Sequence, residues 1–181
     1  MQIFNSSYIS KAYTAKLFYE EIKDNSYIVL GGQSPWNKGV VPLNSPSLSQ
    51  ITDAFLYVYV HKVSLVKLDL NGELTVNNDN FMEFVDPVVI DRITSMLPNA
   101  IYFNCFISNE AINSLNTSIT NYRTIGLYTN VTENPTVNIT KESGAYFSLT
   151  PTSFILDKVF NYSAISIDTL RDQTIQIIKS F

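Results

Sequence analysis

Apolar residues along this chain change their spacing several times, and each change marks an element. Over about 11–23, Tyr13/Leu17 and Phe18/Ile22 recur at i,i+4, Glu20 and Glu21 are good helix formers, and Ser10 stands where a cap belongs, so a helix is predicted. Asn25-Ser26 breaks that period. Tyr27-Ile28-Val29-Leu30 then reads as a short buried strand ended by Gly31-Gly32. Residues 31–47 hold three prolines, three glycines and the chain's only Trp, and read as a loop. Beyond Ser47, the positions Leu48, Ile51, Phe55 and Val58 step by three or four, with Asp53 and the Ser47 and Ser49 hydroxyls favouring a helix start. A helix over about 48–60 is predicted, against a competing strand signal in Tyr57-Val58-Tyr59-Val60.

From Leu65 the period falls to two. Val66, Leu68 and Leu70 alternate with polar residues, and Leu74 and Val76 do the same beyond Asn71-Gly72, so a hairpin is predicted over 64–77. Pro87 and Pro98 bracket a predicted short helix over 87–97. Ala100–Ile107 reads as a buried strand, with further strands near 122–130, 145–149, 162–168 and 173–179. With no internal repeat and no long linker, the 181 residues read as a single domain. A helix-strand-loop-helix segment (11–60) precedes the hairpin and a β-rich C-terminal part (97–181). The predicted class is mainly β with two or three helices (α+β): a β-sandwich core with helical excursions and a Pro/Gly-rich loop.

Composition sharpens this picture. With 45% hydrophobic and 13% aromatic residues the chain can bury a core, so disorder is not expected. Only 15% of residues are charged, and polarity comes instead from 19 Ser, 15 Thr and 18 Asn. Such a surface is easily desolvated against another protein, which favours a component of an assembly. A net charge of −4 with scattered Lys and Arg argues against nucleic acid. No apolar run is long enough to span a bilayer, so no membrane is expected, and the N-terminus shows no export signal. One cysteine suits folding in a reducing cytoplasm.

The chain offers little reactive chemistry. Its one histidine, His61, is placed at the end of the second predicted helix, with no nucleophile elbow near it. Cys105, inside an aromatic strand, reads as a buried, inert thiol. One His and one Cys make no structural zinc site, and Asp79, Glu83 and Asp86 match no calcium loop. Gly31-Gly32 leads into a proline-containing loop and not into a helix, so no phosphate cradle is predicted. We therefore expect no enzymatic activity, no cofactor and no metal. The residue that stands out is Trp36, either an exposed interface anchor or a plug holding its loop on its own core.

At this loop a family resemblance enters. Tyr27-Ile28-Val29-Leu30-Gly31-Gly32-Gln33-Ser34-Pro35-Trp36, following a Leu-Phe-Tyr-containing helix, resembles the strand, Gly and Ser-x-Pro-Trp segment of baseplate wedge proteins of contractile-tailed, T-even-like phages. The proline-rich loop leading to Ser47 and the Thr52-Asp53 helix follows in the same order. So do Ile125-Gly126-Leu127-Tyr128-Thr129-Asn130, Glu142-Ser143-Gly144-Ala145-Tyr146 and Asp172-Gln173-Thr174-Ile175-Gln176-Ile177. The likeness covers roughly 11–60 and 97–181, and the chain is much shorter than the T-even type.

This resemblance implies a structural subunit of the virion tail baseplate, made in the host cytoplasm. It would be a homodimer that connects other baseplate wedge and tail proteins. Under it, Gln33, Ser34, Pro35, Trp36, Asn37 and Lys38 are the candidate interface. The alternative is a carbohydrate-binding β-sandwich module of a tail tip or host-recognition device, in which Tyr and Trp stack on sugars and Asn and Ser bind hydroxyls.

Overall fold

The computed structural model describes residues 6–32, 34–42, 49–68, 82–84, 98–115, 119–167 and 171–181. The Asn71-Gly72 turn, the hairpin arm beyond it, the 87–97 helix and Gln33 lie outside these residues. In chain order the first elements are helix α1 (Ser6–Ile22), strand β1 (Tyr27–Gly31), a 3₁₀ turn (Asn37–Gly39), β2 (Leu56–Tyr59), β3 (Lys62–Leu68) and β4 (Met82–Phe84). They are followed by β5 (Ala100–Ile107), α2 (Asn109–Asn113), β6 (Asn121–Thr132), β7 (Tyr146–Phe147), β8 (Ser153–Ser166) and β9 (Gln173–Ser180). Among the described residues, two antiparallel sheets and two α-helices make the protein mainly β, of the α+β class expected from its sequence. No helix among the described residues is long and apolar enough to cross a membrane.

The chain folds into two compact units of interleaved segments: Met1–Lys23, Lys62–Asn104 and Gln176–Phe181 form one, and Asp24–His61 with Cys105–Ile175 forms the other. In the first, α1 buries Ala12, Ala15 and Ile22. The helix predicted over 11–23 is formed, but of its i,i+4 pairs Ile22 is buried while Tyr13 is 48% and Leu17 70% exposed. Small side chains let the helix backbone approach its support closely, and a large-residue spacing rule overlooks them. Ser10 is not a cap either; it lies inside α1, where its carbonyl accepts the Thr14 hydroxyl at 2.9 Å. Phe18 meets Phe181 edge-on at 5.8 Å, with the Lys179 ammonium 4.1 Å from the Phe18 ring centre. The first arm of the predicted hairpin falls in β3, whose described antiparallel partners are β4 (Leu68↔Met82) and β5 (Leu65↔Ile101).

The second unit is built on the sheet β7-β2-β1-β6-β8. Its central strands are buried on both faces, so Tyr27–Leu30 and Leu56–Tyr59 read as unbroken apolar runs. Register puts Tyr27, Val29, Tyr57, Tyr59 and Tyr128 on one face, while Ile28, Val58 and Leu127 point the other way. The first face is aromatic: Phe147 stacks on Tyr57 with centroids 5.1 Å apart, and Phe154 stacks on Tyr128 at 4.2 Å. Such pairs add about 0.5–1.5 kcal/mol each beyond their buried area.

The helix predicted over 48–60 is not formed, and the competing strand signal prevails. Thr52-Asp53 make a turn, with Asp53 at φ 55°, and Leu56–Tyr59 is β2, paired with β1 and β7. Residues 55–60 are all buried, which a half-exposed amphipathic helix could not achieve. Strand β8 starts at Ser153, well before the predicted 162–168. Its pairing with β6 shifts register between Leu127 and Tyr128, where Lys158 and Leu156 are the successive partners and Asp157 is left over as a bulge. That extra residue disrupts the period that would have revealed the strand. The unpredicted helix α2 begins at Ser108, whose hydroxyl accepts the Ala111 N–H at 3.1 Å as an N-cap.

Candidate functional site

The proline- and glycine-punctuated loop leaves the aromatic face of the second unit where β1 ends. Gly32 turns the chain at φ 72°, and a Cβ there would stand 2.9 Å from the Thr124 hydroxyl on β6, so the position demands glycine. Ser34, Pro35 and Asn37 are exposed. Trp36 is half-buried and opens the 3₁₀ turn that contains Asn37 and Lys38, its carbonyl accepting the Gly39 N–H at 2.9 Å. The indole Nε1 donates to the Tyr162 carbonyl on β8 at 2.5 Å. Trp36 thus holds its loop to its own sheet while Ser34 and Pro35 stay at the surface.

Beside Trp36 lies a cavity of about 370 Å³. Pro35, Trp36, Pro42 and Ile51 supply apolar walls, and Thr52, Asp53, Thr124 and Asn161 supply polar groups. Strand register explains the last pair: Thr124 and Asn161 are direct neighbours on β6 and β8, and the Thr124 hydroxyl donates to the Asn161 amide oxygen at 3.2 Å. The Asn161 amide nitrogen donates to the Pro42 carbonyl at 3.2 Å, which ties the far end of the loop down as well. Ile51 enters from the chain before β2, its N–H donating to the Tyr128 hydroxyl at 2.8 Å.

Other polar groups are used in holding the fold. Tyr27 donates to Glu133, Lys141 lies 3.3 Å from the same carboxylate, and the Lys141 ammonium also donates to the Asp24 carbonyl at 3.0 Å and to Asn25 Oδ1 at 2.5 Å. Burial, followed by the bond to Glu133, pushes the Tyr27 hydroxyl pKa up. Burial alone would raise the Glu133 pKa, but the Tyr27 hydrogen bond and Lys141 outweigh it and hold the carboxyl below its ordinary value. This cluster fastens the segment after β6 to the start of β1.

Cys105 is fully buried, and burial pushes its thiol up to about 12. Its Sγ lies 3.6 Å from the Tyr59 carbonyl and 3.7 Å from that of Val58, so it packs as a weak donor against β2. His61 is exposed just after β2 and does not end a helix as the sequence suggested. Among the described residues no three His, Cys, Asp or Glu side chains gather as a metal would require.

No family model matches this chain, and no curated protein matches it. The residues around Trp36 come from four separate stretches. Sequence inspection singled out the loop but not Thr124 or Asn161, because strand residues converge through pairing over tens of positions and leave no local signal. Asp53 was read as a helix starter; the tolerance of Asp for the left-handed conformation it adopts, φ 55°, was the available hint of a turn.

Proposed function

We propose that this protein is a structural subunit of a phage tail baseplate wedge, a homodimeric connector that holds neighbouring tail proteins. The sequence resemblance motivates the reading, and one structural observation supports it. Tyr13 and Leu17, a helical turn apart on α1, are 48% and 70% exposed, although smaller residues of the same helix are buried. An adjacent apolar pair on a helix surface gains roughly 25 cal/mol per Å² when another chain covers it. The scarcity of charge lowers the desolvation cost of that contact. Ser34, Pro35 and Asn37 form a second exposed surface suited to a polar contact that can rearrange. In this role the protein works by position, in the baseplate of the virion after synthesis in the host cytoplasm.

The test is assembly. Sedimentation velocity over a wide concentration range is expected to give a dimer, and Leu17→Asp to weaken it at least about tenfold while leaving the fold intact. Pull-down with the tail proteins encoded beside its gene is expected to retain them. A monomer at every concentration that also retains no tail protein would overturn the reading.

A further inference from the structure

We propose that the cavity beside Trp36 binds a neutral sugar, one pyranose ring at a time. The proposal stands apart from the connector reading and does not depend on it. A volume of about 370 Å³ falls at the small end of the roughly 300–1,000 Å³ typical of ligand sites, which suits a single ring. A pyranose is apolar on its C–H faces and rimmed by hydroxyls, so it needs a flat carbon surface beside converging hydrogen-bonding groups.

The cavity supplies both. The indole has one hydrogen-bond donor, and Tyr162 already takes it, so Trp36 can offer only ring carbons to a ligand. Pro35, Pro42 and Ile51 extend that apolar surface. The Asp53 carboxylate is an acceptor able to take two hydroxyls in charge-assisted bonds, and Asn161 can both donate and accept.

The charge and shape of the site disfavour other ligands. Its described lining residues include Asp53 and no Lys or Arg, which is unsuited to phosphate or another anion. A quaternary ammonium group is usually enclosed by several aromatic rings, and the described lining residues include one.

The walls are held in place before any ligand arrives. Trp36 is tied to β8, Asn161 is bonded to both Thr124 and Pro42, and Gly32 brings the loop against Thr124. Asp53 occupies the left-handed region at φ 55°, a conformation that Asp and Asn tolerate better than most residues. Little ordering is then left for a ligand to impose.

Because Trp36 is the only tryptophan, its fluorescence reports this site alone. The full chain is titrated with the methyl pyranosides of glucose, galactose and mannose and with N-acetylglucosamine, with tetramethylammonium chloride as the cationic comparison. At least one sugar is expected to give a saturable change with a Kd of about 1–10 mM, and Asp53→Asn to weaken it about tenfold or more at an unchanged thermal midpoint. Asn keeps the backbone tolerance of Asp, so this variant folds. The proposal is overturned by no saturable response to any of the four sugars, by equal affinity in Asp53→Asn, or by a response to tetramethylammonium alone.

Discussion

The Ile51 side chain rests on Gly126: a Cβ added to that glycine would overlap Ile51 Cδ1, and one added to Gly31 on the adjacent strand would stand 2.5 Å from Cγ2. Two missing side chains on β1 and β6 make a hollow, and an isoleucine from the chain ahead of β2 fills it. The same Ile51 forms part of the wall beside Trp36, so the floor of the cavity is set by a packing contact.

Gly126→Ala should therefore overpack this contact and cost about 1–3 kcal/mol, measured by urea unfolding. Ile51→Ala should cost about 2–5 kcal/mol by leaving the hollow empty. The double variant should lose less than the sum, since each change relieves the defect made by the other.

Stability should fall on the alkaline side. Cys105 is raised from 9.0 to about 12 and Tyr128 from 10.0 to about 12, burial being the largest cause in each. The unfolded chain releases these protons first, so the stabilisation is complete below the ordinary values and is lost as pH climbs through 9 towards 12. Cys105→Ala should flatten that slope in a series of denaturation curves against pH. The native thiol should also resist alkylation until denaturant is added.

Glu133 titrates with the opposite sign. Its carboxyl is held below its ordinary value of 4.5, so its contribution is present above that value and disappears as pH falls through the lowered one. Glu133→Gln should cost about 1.5–3 kcal/mol at neutral pH, the range for hydrogen bonds to a charged group. The gap between variant and parent should close in acid, which paired thermal melts across pH will show.

On α1 the residue sizes invert the usual expectation. Ala15→Leu should destabilise the protein by about 1–3 kcal/mol by pushing the helix off its support. The exposed Leu17→Ser, measured at concentrations too low for dimerisation, should change stability by no more than about 0.5 kcal/mol. Thermal or chemical denaturation of the two variants separates a buried small face from an exposed large one.

Where one pattern dominated, the sequence was a sufficient guide. The run Ala100–Ile107 is β5 end to end, Tyr27–Leu30 lies in β1, and the strands near 122–130 and 173–179 are β6 and β9. It failed where spacing was coincidental or masked. Ile51, Phe55 and Val58 are three residues with three different tasks, in a loop, a strand entry and a strand, that happen to stand at helical intervals. Asp157 broke the alternation of β8. The site divides in the same way. Trp36 stood out as a unique residue in a punctuated loop, but its tie to Tyr162 and its neighbours Thr124 and Asn161 depend on the pairing of β6 with β8.

The irregularity of β8 has a consequence for crowding. Among the described strands this one is an outer rim of its sheet, and its register slips near Asp157 and again between Asn161 and Ile165. A foreign strand docking along that rim would find its ladder interrupted within a few residues. That rim is therefore a poor template for a strand from another copy of the chain.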